Sequence, residues 1–595
     1  MEEQEVKPER DWTWLIGTAF VTALAAFLRF YQLGLKPFHH DEGVNGFFLT
    51  TLFRNGTYSY DPANYHGPTL YYISLAFAKV FGLETLSVRA SMAIFGVLMV
   101  VLALFLKRYI GRIGSLFAAL FLAISPGMVF ISRYFIHEIF FVFLSLAIVV
   151  SVLYFIEKKK AGIFAIIWMS LILLVCFLPS ALKLAANLNA YLDGESIWLF
   201  QVGTLFLEAI LIALVMRMLI MWNGGRPIYI LLASASAALM FATKETAFIT
   251  LGTMLIACFC VWIWQKITGE KTGIPGSDEL ADEGINWSRL RAALGSNTDL
   301  ILIIVAAVLV FIYLTILFFS SFFTYPEGVG KAVEAYTIWS KTGSKDHTQN
   351  GFWGYVKWMW RIEAPILLLA AVGTLIALVK ARHRFAIFTG FWAFGLALAY
   401  SIIPYKTPWL LLSFLLPMCI AAGYAINEVF ASEKIISKIT AGILAVAATG
   451  VLAYQSYDIN FVRYDDNELP YIYAHTRREF LDMLSEIERY AEKSGKGKQA
   501  AVQIVSPDYW PMVWYMNDYP RAVFHATIAE AAGAEMIVAK KKQQDDIVIQ
   551  KYSADYRFAG MFPLRPGVDL VLLVRKDLAD SNTKELYRIK EVRDY

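Results

Sequence analysis

The chain is divided into apolar blocks of about twenty residues that are almost free of charge, and this feature restricts its fold more than any other. A block of that length crosses the roughly 30 Å hydrocarbon core of a bilayer as an α-helix. Over the 595 residues, 58% are apolar and 17% are charged, whereas a soluble chain has about 25% charged residues. We therefore predict a polytopic α-helical membrane protein.

Thirteen blocks are candidate transmembrane helices. They are Trp14–Leu33, Leu86–Leu106, Ile113–Ile131, Ile139–Ile156, Gly162–Leu182, Ile197–Trp222, Ile228–Ala242, Phe248–Trp264, Leu300–Phe323, Ala364–Val379, Phe385–Ile403, Leu410–Phe430 and Ile435–Tyr454. The count carries an uncertainty of one or two, because Ile228–Ala242 is short. The further apolar run Leu70–Phe81 is predicted as a re-entrant or interfacial helix. The first block has no small-residue cleavage site and is predicted to be a retained span.

Basic residues are concentrated in alternate connections, which indicates the orientation of the chain. They are Lys107, Arg108 and Arg112; Lys158, Lys159 and Lys160; Arg217 and Arg226; Lys266, Lys271, Arg289 and Arg291; Lys380, Arg382 and Arg384; Lys434 and Lys438. Positive residues favour the cytoplasmic side, so these connections and the N-terminus are assigned to the cytoplasm of a plasma-membrane protein. An odd number of spans then places the C-terminus outside.

The tail beyond residue 454 has a soluble composition and is predicted to form a small extracytoplasmic α/β domain, residues 455–595. Its predicted elements are an amphipathic helix, Ala474–Lys493, and the strands Ala500–Val505, Val523–Ala526, Glu535–Ala539, Asp546–Gln550 and Val568–Val574. The net charge of +4 is too small to indicate a nucleic-acid partner. All four cysteines lie in apolar runs, so no disulfide framework or paired-cysteine metal site is predicted.

Four short connections on the predicted outer side contain ionisable residues, and three of them mix acidic with basic residues. These outer turns are HHDE, RYFIHE, TKET and PYKTPW, and the first is continued by YHGPTLYY in the same loop. Ionisable groups at the mouth of a membrane span are costly to desolvate and usually serve a function. The sequence therefore predicts that the four outer turns converge on one pocket.

Each turn also has a structural interpretation. Asp41 begins a predicted helix, Asp41–Arg54, and Asp is a favoured N-cap residue. Arg133 is a candidate for a local ion pair that anchors a helix end, and Lys406 lies between aromatic residues, as in a membrane-interface belt. The mid-span Glu208 is interpreted as a satisfied interior acid.

Taken together, these motifs resemble those of a known family. HHDEGVNGFF, HGPTLYY, RYFIHE, ATKETAF and PYKTPW are similar to motifs of the GT-C superfamily of polytopic glycosyltransferases. The nearest branch holds the protein O-mannosyltransferases and the bacterial aminoarabinose transferases of lipid A. The prokaryotic membrane proteins described as flippase activity-associated are more similar still. Glu138 departs from the pattern, because many mannosyltransferases have Asp there.

The resemblance implies a GT-C-like membrane domain over residues 1–454, with outer-face loops 34–85 and 324–363. It also implies transfer of a sugar from a polyprenyl-phosphate carrier to a protein or lipid acceptor outside the membrane. Such a transfer needs a carboxylate to take the acceptor proton and cations to offset charge on the leaving phosphate. Asp41 is the predicted base with Glu42 as its alternate, and the predicted donor-phosphate partners are Arg133, Lys244 and Lys406.

Two further sets of residues complete the predicted site. The substrate-pocket candidates are Tyr65, His66, Tyr134, Tyr405, Trp409 and His347. A divalent metal (Mg, Mn or Zn) is predicted on His39, His40, His137 and Glu138.

The alternative function is a non-catalytic flippase, or flippase partner, that handles lipid-linked sugars. A solute transporter is disfavoured, because transporters bind near the midplane and these polar residues cluster at one face.

Overall fold

The structure is a computed structural model that describes residues 11–64, 66–192, 194, 197–269, 287–344, 350–530, 533–541, 545–581 and 583–585. Two of the predicted pocket residues, Tyr65 and His347, lie outside the described residues.

All thirteen predicted apolar blocks are helical. Ten helices of the described chain are long and apolar enough to span a membrane: Trp12–Phe30, Thr85–Leu104, Glu138–Ile156, Ile163–Tyr191, Ile197–Gly225, Ala247–Thr268, Asn297–Phe319, Arg384–Ile402, Pro408–Phe430 and Ile435–Val462. Two bent pairs bring the total to as many as twelve: Arg112–Ile124 with Pro126–Ser132, bent by 56°, and Gly354–Ile362 with Ala364–Lys380, bent by 110°. The thirteenth block is the shorter helix Pro227–Phe241.

The two bent pairs contact each other at their breaks. Pro126 lacks a backbone N–H and so ends the preceding helix, and the Ser125 hydroxyl caps the next helix by accepting from the amide of Met128. Glu363, at the break of the second pair, accepts hydrogen bonds of 2.8 Å from the Ser125 hydroxyl and from the Gly127 amide. One buried carboxylate thus satisfies donors that the broken helix would leave without a partner.

Shorter helices connect the spans. They are His40–Asn55, Thr69–Phe81, Lys107–Ile110, Trp287–Ala293 and Glu327–Gly343. The first, here called the site helix, confirms the predicted helix Asp41–Arg54 to within one residue at each end. Thr69–Phe81 coincides with the apolar run that was predicted as a re-entrant or interfacial helix.

The C-terminal domain comprises the helix Phe480–Lys493, the short helices Met512–Tyr515 and Asp545–Tyr552, and a six-stranded sheet. The strands are β1 (Val502–Ile504), β2 (Ala522–Phe524), β3 (Met536–Lys540), β4 (Tyr556–Arg565), β5 (Val568–Arg575) and β6 (Lys584–Glu585), in the order β2-β1-β3-β5-β4-β6. β1 pairs in parallel with both β2 and β3, and the remaining pairs are antiparallel.

One sequence prediction in this domain is wrong, and one strand was missed. The segment Asp546–Gln550, predicted as a strand, lies in the helix Asp545–Tyr552, which buries Val548 and Tyr552 one helical turn apart. The long strand β4 was not predicted, because most of its residues are half-buried and its apolar pattern is correspondingly weak. Its pairing with β5 is a tertiary property that a local pattern does not report.

The two ends of the helix bundle carry different chemistry. Glu138 begins the helix Glu138–Ile156, and Glu157, just past its other end, pairs with Arg108 at 3.2 Å. Nineteen residues at 1.5 Å each separate the two carboxylates by about 28 Å. Arg112 pairs with Asp11 at 2.7 Å, near the N-terminus. The connections that carry Arg108, Arg112 and Lys159 therefore lie at the end of the bundle away from the Glu138 end.

Candidate functional site

Parts of all four outer turns line one cavity of 380 Å³. Its ionisable or aromatic lining residues are His40, Asp41, His66, His137, Glu138, Lys244, Glu245, Trp339, Tyr400, Tyr405 and Trp409. The structure thus brings together side chains that are separated by up to about 370 positions in the sequence. It also leaves several predicted site residues outside the cavity, where other contacts hold them.

The N-terminus of the site helix is capped by His39 and not by Asp41. His39 is the N-cap residue, and its Nδ1 accepts from the backbone N–H of Asp41 at 3.1 Å. The Asp41 carboxylate lines the cavity, and its side chain is 43% exposed. The capping interpretation of Asp41 is therefore wrong, and its carboxylate is available to a molecule in the cavity.

Glu42 has the opposite environment. Its side chain is fully buried and accepts four hydrogen bonds: two from Arg89, at 2.7 and 2.8 Å, one from the Phe135 amide and one from the His39 amide. It completes a capping box with His39 and does not line the cavity. Each carboxylate oxygen already accepts two donors, so the expectation that Glu42 is the alternate base is not supported by its position.

Lys244 lines the cavity and is held there by Glu138. The ammonium donates to Oε1 of Glu138 at 2.5 Å, and both side chains are buried. Burial alone lowers the pKa of Lys244, but the charge and hydrogen bond of Glu138 outweigh it and raise that pKa above its ordinary value. Lys244 is thus a fixed cation at the cavity wall.

Close backbone packing brings Lys244 next to His66. The two residues form an isolated antiparallel bridge, and the Gly67 amide donates to the Thr243 carbonyl at 3.0 Å. A Cβ on Gly67 would lie 2.0 Å from the carbonyl oxygen of Ala242, so this approach requires glycine. The HGP sequence therefore sets the distance between two turns of the site.

Arg133 and Lys406, the other predicted phosphate partners, lie outside the cavity lining. Arg133 is fully buried and donates to the carbonyls of Leu28, Tyr31 and Gln32 at the end of the first span. Lys406 donates to the carbonyls of Ser401 and Ile403, at the end of the helix Arg384–Ile402. Both cations satisfy carbonyls left unpaired at helix C-termini, where the helix dipole also favours positive charge. These carbonyl contacts hold both cations away from the cavity, so their positions do not support the predicted role as phosphate partners.

The remaining pocket candidates divide in the same way. His66, Tyr405 and Trp409 line the cavity. Tyr134 does not, and its hydroxyl hydrogen-bonds Nδ1 of His475, in the segment that leads to the C-terminal domain, at 2.9 Å. The motif RYFIHE is therefore split, with His137 and Glu138 facing the cavity and Arg133 and Tyr134 packed elsewhere.

The four predicted metal ligands do not form a metal site. Among the described residues, no group of three or more His, Cys, Asp and Glu side chains has the geometry to hold an ion. Both ring nitrogens of His39 are occupied, by the Asp41 amide and by the Tyr473 carbonyl, and Glu138 is paired with Lys244. His137 directs Nε2 at the Gly67 carbonyl, and burial lowers its pKa well below the ordinary value.

Two lining residues, Glu245 and Trp339, and one residue in contact with the lining, Arg565, were not among the predicted site residues. A carboxylate oxygen of Glu245 lies 3.6 Å from Nδ1 of His66. Its position in the outer turn TKET, next to Lys244, could have identified Glu245 from the sequence. Trp339 belongs to the helix Glu327–Gly343, which lies inside the predicted outer loop. The carbonyl of Gly343, at the end of this helix, accepts a hydrogen bond from the Tyr405 amide. Arg565 of the C-terminal domain contacts His40 at 3.1 Å, and no local motif marks it.

Comparison with known proteins places this arrangement in a known fold. Residues 55–186 match the family of dolichyl-phosphate-mannose-protein mannosyltransferases. The chain is similar to the structure of ArnT from Cupriavidus metallidurans in the apo state, with a TM-score of 0.56 and 12% identity over 96% of this chain and 99% of that one. A structure of ArnT bound to undecaprenyl phosphate gives a TM-score of 0.52 at 13% identity, over 96% of this chain and 100% of that one.

A second solved protein has the same architecture. The apo oligosaccharyltransferase of Archaeoglobus fulgidus is similar with a TM-score of 0.50 and 13% identity, over 96% of this chain and 77% of that one. No curated protein matches the chain. These likenesses establish that the chain has the fold of the GT-C membrane glycosyltransferases, with a C-terminal sheet domain, as the motifs led us to expect.

Proposed function

We propose that the protein transfers a sugar from a polyprenyl-phosphate carrier to an acceptor on the outer face of the membrane, with Asp41 as the general base. The observation that carries the proposal is the shared cavity, in which a partly exposed carboxylate faces the same space as a buried, charged lysine. The GT-C fold and the undecaprenyl phosphate in the ArnT complex support a lipid-linked donor.

The reaction uses these two groups in complementary roles. Asp41 accepts the proton of an acceptor hydroxyl or amide while the acceptor atom attacks the anomeric carbon of the sugar. The bond from that carbon to the phosphate oxygen breaks, and its electron pair stays on the phosphate. Lys244 lies where it can offset this charge, because an ammonium has three donors and Glu138 orients it. Trp409 and Trp339 offer aromatic faces for sugar rings.

The proposal includes an orientation in the plasma membrane. The basic connections at the far end of the bundle face the cytoplasm, which places the cavity and the C-terminal domain outside. A polyprenyl-phosphate sugar then enters from the lipid, and a protein or lipid acceptor enters from the external side. The alternative, a protein that handles lipid-linked sugars without cleaving them, uses the same cavity.

The direct test is transfer by the purified protein from a labelled polyprenyl-phosphate sugar to a panel of peptide, glycan and lipid acceptors. Asp41→Asn is expected to fold normally, because His39 and not Asp41 caps the site helix. It should reduce transfer by about two to four orders of magnitude, the usual contribution of a general base. Asp61→Asn, in the same loop outside the cavity lining, is the matched control and should keep full activity.

Two results would contradict this assignment. Unchanged transfer by Asp41→Asn would remove Asp41 as the base. Binding of the donor by the wild type without transfer to any acceptor would favour the non-catalytic alternative.

A further inference from the structure

His40 has a fixed protonation pattern because its partner is an arginine. Nη1 of Arg565 lies 3.1 Å from Nδ1 of His40. A guanidinium only donates hydrogen bonds, so Nδ1 must be the acceptor and carry no proton. The neutral ring then holds its proton on Nε2. Burial also lowers the pKa of His40, which favours this neutral form.

The same bond removes His40 from the predicted metal set. An imidazole that carries its proton on Nε2 and accepts through Nδ1 has no lone pair to give a metal. What it offers the cavity is a hydrogen-bond donor. His40 lines the cavity beside Asp41, and Trp510 lies against the ring with 6.3 Å between the ring centroids.

Arg565 is held in place by the sheet of the C-terminal domain. It donates to Asp508, which also accepts from Lys540 at 2.5 Å. Asp508 follows β1, and Lys540 is the last residue of β3. The chain runs from β1 to β2 on one side and then to β3 on the other. Functional groups of open α/β sheets gather at such a reversal, beyond the carboxyl ends of the strands. Here that edge faces His40.

The domain is also packed tightly against the site helix. A Cβ on Gly43 would lie 2.7 Å from Cα of Pro511, and one on Gly46 would lie 2.5 Å from a ring carbon of Trp514. The ring of Trp514 stacks on Phe38 with 4.8 Å between centroids. The two glycines therefore allow the C-terminal domain to pack closely against the site helix, and this packing holds Arg565 at hydrogen-bond distance from His40.

We propose that His40 donates a hydrogen bond from Nε2 to a phosphate oxygen of the lipid-linked substrate, and that Arg565 is the positioning residue that fixes His40 for it. This inference rests on the proposed function and adds the C-terminal domain to the site. Such a donor would assist Lys244, which is the one cation among the described lining residues and shares the cavity with the carboxylates of Asp41, Glu138 and Glu245.

The experiment is a double-mutant cycle on the full-length protein, with His40→Leu and Arg565→Met alone and together. Binding of a polyprenyl phosphate and transfer from a polyprenyl-phosphate sugar are measured separately, with a neutral polyprenol as the control ligand. His40→Leu should reduce transfer by about 100-fold, the effect of losing one oxyanion donor. Arg565→Met should reduce it by about 10-fold, as loss of an orienting partner does. The double variant should be no worse than His40→Leu.

Two further variants separate positioning from a general structural role. Arg565→Lys keeps a donor for Nδ1 and should recover most of the transfer lost in Arg565→Met. Arg489→Met removes an equally ion-paired arginine from the same domain, where Arg489 contacts Glu486 and Asp580, and should behave as wild type.

The outcomes distinguish this inference from the proposed function. Additive losses in the double variant would mean that Arg565 acts independently of His40, and would overturn the inference while leaving the transferase proposal intact. Polyprenyl-phosphate binding that is unchanged in His40→Leu would also overturn it. If the wild type transfers no sugar, the proposed function fails. Weaker phosphate binding in His40→Leu, with Arg565→Met adding nothing to it, would then still support the inference.

Discussion

At the scale of single residues, side chains of the same chemistry have different environments around the cavity. Asp41 and Glu42 are adjacent and of similar chemistry, yet one faces the cavity and the other is sealed against Arg89. Arg133 and Lys406 have the charge expected of phosphate partners but satisfy helix carbonyls. Residue type and spacing do not specify which way a side chain points, because the partner that decides it lies far away in the sequence.

The different environments of Asp41 and Glu42 lead to a stability prediction. Glu42→Gln leaves Arg89 with a buried charge and no carboxylate, a change that typically costs about 3–5 kcal/mol. We expect a marked loss of thermal stability in detergent, together with poor expression, measured by a fluorescence-based melting assay. Glu488→Gln, which breaks an exposed pair with Lys498, is the control and should change stability by about 1 kcal/mol or less. A stable but inactive Glu42→Gln protein would instead make Glu42 a catalytic residue.

At the scale of elements, hydropathy located thirteen helical blocks, because a bilayer span of about 20 apolar residues is visible directly in the sequence. The described chain has ten to twelve candidate spans, and the helix Pro227–Phe241 is shorter than a span, so the prediction of thirteen spans was one too many or more. Hydropathy did not reveal the bends at Ser125 and Glu363, since a bend depends on what the freed backbone groups contact. The soluble domain was harder to predict. Its strand β4 is recognised only through pairing with β5.

The contact between the site helix and the C-terminal domain predicts the effect of adding one methyl group. Gly46→Ala places a Cβ about where Trp514 already lies, at 2.5 Å. We expect the domain to shift, with reduced transfer and lower thermal stability, because overpacking typically costs about 1–3 kcal/mol. Gly442→Ala is the matched helical control, because nothing lies within 4 Å of the position of its Cβ. Equal behaviour of the two variants would show that the domain does not need this close contact.

At the scale of the whole molecule, the charge distribution predicts the orientation in the membrane. In a cysteine-free background, Ser494→Cys in the C-terminal domain should react with a membrane-impermeant maleimide in intact cells. Lys158→Cys, in a basic connection at the far end of the bundle, should react only after permeabilisation, because positive connections remain in the cytoplasm. The opposite labelling pattern would place the cavity on the cytoplasmic face and exclude an externally displayed donor.

If the four outer turns form one active site for a lipid-linked sugar, a polyprenyl phosphate must bind in the cavity that they share. A cryo-electron microscopy structure of the protein in lipid nanodiscs with a bound polyprenyl phosphate tests it most directly. We predict that the phosphate lies in the cavity, within hydrogen-bond distance of Lys244 and of Nε2 of His40, with Asp41 facing the position of the sugar. A phosphate bound elsewhere, with the lipid tail along another face of the bundle and the cavity unoccupied, would show that the four outer turns do not form the donor site.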